Sequence, residues 1–175
     1  MQSISPETIY RGNYAWEKSL PQITKLTKRP LILGRSINTQ DLRNKISKDL
    51  KNQNLDVNSI NLQFDCCYED ITSVKNIILK NNHDSVIASG GGKVLDSGKY
   101  IAESLNIPCI TVPLSASTCA GWTALSNIYT KDGQFIKDVA LGSCPKILVY
   151  DHKFIQTAPS RTLASGIADA LAKWY

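Results

Sequence analysis

Residues 85–105 read SVIASGGGKVLDSGKYIAESL. An apolar run over 85–89 is closed by Gly90, Gly91 and Gly92, and a pattern of helical period follows over 94–105. Short apolar runs bounded by turn residues read as buried strands, and apolar residues recurring every three or four positions read as helices. Glycine costs about 1 kcal/mol relative to alanine in a helix, so a triplet at this junction needs a reason. Either the glycines only turn the chain, or the bare backbone lets N–H groups approach a phosphate at the N-terminus of the next helix. Lys93 then supplies a mobile cation.

The same strand-then-helix reading extends in both directions. PLILG (30–34), INLQF (60–64), PCITVPL (108–114) and KILVYD (146–151) read as further short buried strands, with helical patterns over 39–53 and 69–81 between them. This alternation predicts parallel βαβ units with helices on both faces, an α/β doubly wound parallel sheet. Ligands of such sheets sit beyond the C-terminal ends of the strands, which singles out the loops after Ser89 and Leu114. YTKDGQFIKDVALGSC (129–144) breaks the alternation, and its KDG turn predicts a β-hairpin. SRTLASGIADALAKWY, from Ser160, predicts a helix that runs to the last residue.

Composition bounds the functional classes. A chain of 175 residues suits one well-packed domain. With 42% hydrophobic and 20% charged residues it reads as an ordinary globular protein. The net charge of +5 is spread along the sequence instead of clustered, which argues for solubility and against a nucleic-acid partner. Five cysteines (Cys66, Cys67, Cys109, Cys119, Cys144), an odd number without CxxC spacing, fit a reducing cytoplasm. MQSISPETIYRGNY has neither a basic leader nor an apolar core, and no apolar run approaches the roughly 20 residues of a membrane span, so no membrane partner is expected.

The glycine loop fits neither familiar phosphate motif. A Walker loop needs Ser or Thr after Gly-Lys and a glycine where Ile87 stands, but Val94 follows Lys93; the GxGxxG fingerprint starts at Gly90 and Gly92 but meets Leu95 at its third position. Pattern alone implies a phosphate-bearing ligand at a helix N-terminus.

Three ordered segments, GGGKVLDSGK (90–99), PLSASTCAGWTALSNIYT (113–130) and SGIADALAKW (165–174), carry a resemblance. Together with SPETIYRGNYAWEKSL (5–20), which is similar to the opening strand and helix, they resemble glycerol dehydrogenases of the iron/zinc-dependent alcohol dehydrogenase superfamily. The resemblance implies NAD, or NADP, as cofactor, a divalent metal (zinc or iron), a small alcohol or polyol as substrate, and a homo-oligomer. It also implies a nucleotide-binding α/β domain over 1–158 and, over 159–175, the first helix of a helical metal domain that is otherwise absent. Gly91, Gly92, Lys93, Val94 and Leu95 would lie along the pyrophosphate, and Asp96 and Lys99 fall on the family's helix positions. Ser117 and Thr118 would reach the nucleotide, and Thr123, Leu125 and Tyr129 would surround the nicotinamide ribose. Without the resemblance, the hydroxyls also read as turn and cap residues and Tyr129 as strand-edge packing.

Asp169 matches the metal-ligating aspartate. On a helical wheel it lies opposite a stripe of Leu163, Ile167, Leu171 and Trp174, on a face that carries Ala164, Ser165, Ala168 and Ala172. Its plainer reading is a solvated i, i+4 pair with Lys173.

Three departures stand out. The histidines are His83, in an NNHD turn, and His152, after a strand, and neither reads as a ligand; a catalytic zinc needs three protein ligands and an open position. The expectation is an N-terminal portion, inactive by itself. Cys119 stands where the family's substrate-binding aspartate would, with Gly121 and Trp122 after it, and a thiol is a poor acceptor for a polyol, which leaves the substrate open. Arg35 replaces the acidic residue that would receive the adenosine ribose hydroxyls; it suits a 2′-phosphate, hence NADP, or is a solvated strand-end residue. A glycerol-phosphate dehydrogenase, a dehydroquinate-synthase-like lyase and a non-catalytic nucleotide-binding module are the alternatives.

Overall fold

The computed structural model describes residues 5–172. Six strands, β1 (Thr8–Gly12), β2 (Pro30–Gly34), β3 (Asn58–Asn61), β4 (Ser85–Gly90), β5 (Cys109–Pro113) and β8 (Ile147–Asp151), form one parallel sheet in the order β1-β8-β5-β4-β2-β3. Every residue of β2, β4 and β5 is buried, as expected of parallel strands covered on both faces. Alternate side chains still go to opposite sides. Ile32, Ile87 and Ile110 join the core under α1 (Ala15–Leu26) and α2 (Gln40–Asn52), whereas Leu31, Leu33 and Val86 join the core under α3 (Tyr68–Asn81) and α4 (Gly92–Leu105). This is the doubly wound arrangement that the alternation predicts.

From β2 the chain moves outward to β3, and from β4 it moves the other way to β5. The winding therefore reverses between β2 and β4, and the crevice beyond their C-terminal ends is where such sheets bind ligands. The triglycine loop closes one side of it.

Several boundaries differ from the sequence reading. The third strand is Asn58–Asn61 and not 60–64. Leu62 N–H still reaches the carbonyl of Gly34 (2.8 Å), but Phe64 N–H turns away to Asp70 Oδ2 (2.8 Å), so the apolar residues 62 and 64 lie in a turn. The hairpin is present, with β6 (Leu125–Tyr129) starting earlier than expected and β7 (Phe135–Ala140) returning antiparallel. Gly133, at φ +84°, supplies the left-handed residue that its turn requires. A short helix, α5 (His152–Gln156), carries no periodic signal in the sequence and is set by Asp151, whose Oδ1 accepts from Lys153 N–H (2.8 Å) and whose Oδ2 accepts from Trp16 N–H (2.9 Å). One carboxylate thus serves the N-termini of α5 and α1 together.

The last helix, α6 (Ser160–Ala172), buries none of its described residues fully, and Leu163, Ile167 and Leu171 are 54%, 54% and 64% exposed. Lys173 and Trp174 lie outside the described residues. The face of Ala164, Ser165, Ala168 and Ala172 is exposed as well, and α6 instead meets the protein along the line of Thr162, Gly166 and Asp169, its half-buried residues. A Cβ on Gly166 would lie 1.7 Å from the carbonyl oxygen of Ala116, so only glycine permits this contact of helix with loop backbone.

α4 lies on β4 through a similar contact at Gly98, where a Cβ would come 2.4 Å from the Cβ of Ala88. Alanine improves helix propensity by about 1 kcal/mol, but overpacking a buried helix–strand contact costs about 1–3 kcal/mol. Because the clash is with a fully buried side chain on a rigid strand, overpacking dominates. Gly98→Ala is expected to lower the urea midpoint of unfolding; an unchanged or raised midpoint would show that the sheet yields at this point.

Candidate dinucleotide and substrate site

The three glycines differ in what holds them. A Cβ on Gly90 would approach that of Val94 to 3.0 Å, and one on Gly92 would approach Thr118 Cγ2 to 2.9 Å. Packing within the protein accounts for both. A Cβ on Gly91 would meet nothing within 4 Å, so the space in front of it is open. Gly91 is the N-cap of α4, in extended conformation (φ −85°, ψ −178°), with no side chain to satisfy the first amides of the helix. Such amides have no acceptor within the helix and carry the positive end of its dipole. An anion in front of Gly91 would meet both.

Lys93 borders this space. Its Nζ lies 2.7 Å from Asp65 Oδ2 and 4.4 Å from the centre of the Tyr129 ring. Val94 and Leu95 do not border it: their side chains are buried and their N–H groups go to the Gly91 carbonyl (3.0 and 3.1 Å). They form the first turn behind Gly91, the helix having begun at Gly92.

Beyond the cradle a cleft of about 380 Å³ is lined by Lys93, Ser117, Thr118, Leu125, Asn127 and Asp169, among others. Ser117 and Thr118 enter from the loop after β5; Ser117 Oγ lies 3.1 Å from Ser115 Oγ, and Thr118 Oγ1 accepts from Ala120 N–H (3.2 Å). Thr123 also lines the cleft, but its Oγ1 accepts from Lys99 Nζ (3.2 Å), which makes it part of an anchor. Asn127, which no sequence motif marks, lines the cleft too. Its Oδ1 is buried without a hydrogen-bond partner in a wall of the cleft, an acceptor that a ligand N–H can satisfy.

The anchor is the buried pair on α4. Lys99 Nζ lies 2.9 Å from Asp96 Oδ1 and donates to the carbonyls of Thr123 (3.1 Å) and Leu125. Asp96 returns the tie through its own carbonyl, which accepts from Ser126 Oγ (2.9 Å), and its Oδ2, which accepts from Asn127 N–H (3.4 Å). Burial pushes the Asp96 carboxyl above the usual carboxylate range, against the pull of Lys99. The pair fastens residues 123–127, and with them the far wall of the cleft, to the helix that carries the cradle.

A second, more apolar cleft of about 480 Å³ lies behind the 116–122 loop, with Pro113, Trp122, Leu148 and Tyr150 in its walls. Cys119, which is exposed, and half-buried Asp169 line both clefts. Asp169 sits here because it follows Gly166 by one helical turn. Cys66 and Cys109, by contrast, are pushed up to about 12 by burial and are inert thiols.

At the other corner of the crevice, Arg35 leaves the end of β2 and pairs with Asp65 (Nη1–Oδ1, 3.0 Å). Asp65 thus bridges Arg35 and Lys93. Beneath them Arg43 is fully buried and packs on Gly34, with Nη2 donating to the Ser36 carbonyl and to Gln40 Oε1 (2.8 Å each); desolvation holds its pKa below the usual value. His83 is elsewhere, with Nδ1 3.1 Å from the carbonyl of Arg29, and His152 opens α5. Among the described residues no group of three or more His, Cys, Asp and Glu is placed to hold a metal ion. Asp169 is suited to be one ligand and does not make a site by itself.

A doubly wound sheet with a glycine-capped helix at its switch point belongs to the class of α/β folds that take ligands beyond their strand ends, and comparison with known proteins narrows it. The iron-containing alcohol dehydrogenase family matches residues 6–152, and the chain belongs to this family. It is similar to an uncharacterized oxidoreductase of Synechocystis (35% identical over 173 residues, 99% of this chain and 44% of that protein). It is also similar to glycerol dehydrogenase 1 of Schizosaccharomyces pombe (33% over 171 residues, 97% of this chain and 38% of that protein). The crystal structure of the glycerol dehydrogenase from S. pombe superposes with a TM-score of 0.85 at 31% identity, covering 98% of this chain and 44% of that one. A probable glycerol dehydrogenase from Sinorhizobium meliloti gives 0.88 at 26% identity, covering 99% and 48%. The chain spans less than half the length of these relatives.

Removing one member of a buried ion pair leaves an uncompensated charge, at a cost of about 3–5 kcal/mol. Lys99→Met is expected to destabilise the fold by that order in denaturant unfolding, and adding Asp96→Asn should recover part of the loss. A double variant no more stable than the single one would mean that the carbonyl contacts, not the carboxylate, hold Lys99.

Proposed function

We propose that the chain is the nucleotide-binding part of an NAD(P)-dependent alcohol oxidoreductase acting on a small alcohol or its carbonyl counterpart. The single observation that carries this reading is the open space in front of Gly91, the one glycine of the triplet whose missing side chain nothing in the protein explains. The amides at the start of α4 take the pyrophosphate, Lys93 adds a charge, and Ser117 and Thr118 donate from the opposite loop. The orphaned Asn127 Oδ1 fits a carboxamide N–H farther along the same cleft. When bound, the dinucleotide supplies the hydride acceptor or donor, and that chemistry is its own. What the chain contributes is placement: the Lys99–Asp96 anchor fixes the cleft wall against which the reacting ring would lie.

Asp169 and Cys119 face the same space, where the substrate would sit. Asp169 is this chain's contribution to a divalent metal site, as one of the three protein ligands that a catalytic zinc takes. No step is assigned to the metal from these residues alone. With a thiol at 119, a polyol loses a carboxylate acceptor, which favours a substrate with fewer hydroxyls. Enzymes named glycerol dehydrogenase and the absence from this chain of a helix long and apolar enough to cross a membrane, among the described residues, support a small-molecule oxidoreductase; a homo-oligomer in the cytoplasm completes the proposal.

Gly91→Asp tests the cradle without disturbing the fold. Aspartate is a preferred N-cap, and a negative charge there favours the helix dipole, so stability should stay within about 0.5 kcal/mol or rise. The same carboxylate would occupy the phosphate position, and calorimetric titration should show NAD and NADP affinity reduced at least about 100-fold, the order expected for removing charge-assisted contacts. Undiminished binding would move the pyrophosphate away from α4.

A further inference from the structure

The corner between β2 and α4 contains a carboxylate that the sequence motifs do not account for. Asp65 comes from the turn after β3, its side chain is 11% exposed, and it pairs with Arg35 at 3.0 Å and with Lys93 at 2.7 Å. It is the bridge between a cation at the end of β2 and a cation on the first turn of α4. The tip of the β6–β7 hairpin closes over it, since a Cβ on Gly133 would lie 3.8 Å from Asp65 Oδ2 and 3.9 Å from Lys93 Nζ. The hairpin tip is thus the near neighbour of Asp65 on the outer side of the crevice.

Given the dinucleotide reading above, on which this inference rests, a pyrophosphate at Gly91 sends the adenosine end toward β2. The residue following that strand is the one that meets the ribose in such folds, an acid bonding the 2′-hydroxyl or an arginine accommodating a 2′-phosphate. By residue type alone, Arg35 favours the phosphate. In the structure its guanidinium is already engaged by a nearly buried anion. A 2′-phosphate that reached Arg35 would stand a few ångströms from Asp65, and like charges in a partly desolvated crevice repel. A ribose diol carries no charge and can bond to the guanidinium and the carboxylate alike.

We propose that Asp65 is a specificity-determining residue that makes the site discriminate against 2′-phosphorylated dinucleotides, by holding Arg35 and Lys93 in ion pairs across the crevice. Arg35 is the latent phosphate ligand, and Asp65 keeps it from serving as one. Selectivity is set by the pair and not by the strand-end residue alone.

The test is calorimetric titration of the chain with NAD and with NADP, for the unmodified protein, Asp65→Asn, and Asp65→Asn combined with Arg35→Gln, with the unfolding midpoint of each recorded. The unmodified protein is expected to bind NAD more tightly. Asp65→Asn should improve NADP relative to NAD about tenfold, the scale of removing one unit charge near the surface, and the added Arg35→Gln should cancel that gain. If Asp65→Asn does not fold, Arg35→Gln alone, at a half-exposed position, is expected to weaken NADP further. The proposal is overturned if the unmodified chain prefers NADP, if Asp65→Asn shifts both affinities equally, if the gain survives loss of Arg35, or if Arg35→Gln alone strengthens NADP. Failure of every variant to bind either nucleotide overturns the dinucleotide reading and this one with it, whereas equal shifts with binding intact overturn only this one.

Discussion

A fully buried ammonium group holds this structure's working end together. Lys99 sits in the middle of α4, sealed from water, and its three N–H bonds must all find acceptors because an unpaired buried charge is too costly to keep. Asp96, the carbonyls of Thr123 and Leu125, and Thr123 Oγ1 are those acceptors. A long loop leaves β5 and passes over the end of the sheet, where regular backbone pairing is not available to it. The lysine substitutes for that pairing. Once 123–127 is fastened to α4, β6 follows at a fixed height, the hairpin turns back over the crevice, and Tyr129 comes to lie under Lys93.

The crevice then forms from three independent elements with one role each. β2 ends in Gly34, bare enough for Arg43 to pack against it from below, and delivers Arg35 to the surface. α4 starts with an uncapped turn facing open space. The loop after β3, which carries no regular structure from Leu62 to Cys67, supplies the one carboxylate that ties them. Both cations stay partly exposed while the carboxylate between them is nearly buried, so Asp65 bears on what a ligand meets in the crevice as well as on the fold.

The sheet was readable because parallel strands buried on both faces are short apolar runs, and the first four of the five runs are separated by amphipathic helices. Strand ends were less so: Leu62 and Phe64 look like strand residues because they are apolar, yet they are buried by a turn. The strand-to-helix junction shows itself in the sequence as three glycines, but sequence does not divide them into two required by packing and one facing open space, nor does it show that the side chains of Val94 and Leu95 enter the core. Asp65 carries little signal and Asn127 none. Each is an ordinary polar residue in a local pattern, and their significance lies in partners 28 to 31 residues away or in the lack of one. An acidic residue just past the end of a strand next to the switch point was the only available signal for Asp65.

Gly166 has a mechanical meaning beyond its role in placing Asp169. Most helices rest on side chains, and side chains absorb small displacements by changing rotamer. Here α6 touches the backbone of Ala116 and Ser117 through its own bare backbone, with a peptide oxygen where a methyl group would otherwise be. Such a contact has no slack. A displacement of the exposed stripe of Leu163, Ile167 and Leu171 therefore bears directly on the backbone of Ala116 and Ser117, with no side chain of residue 166 between them.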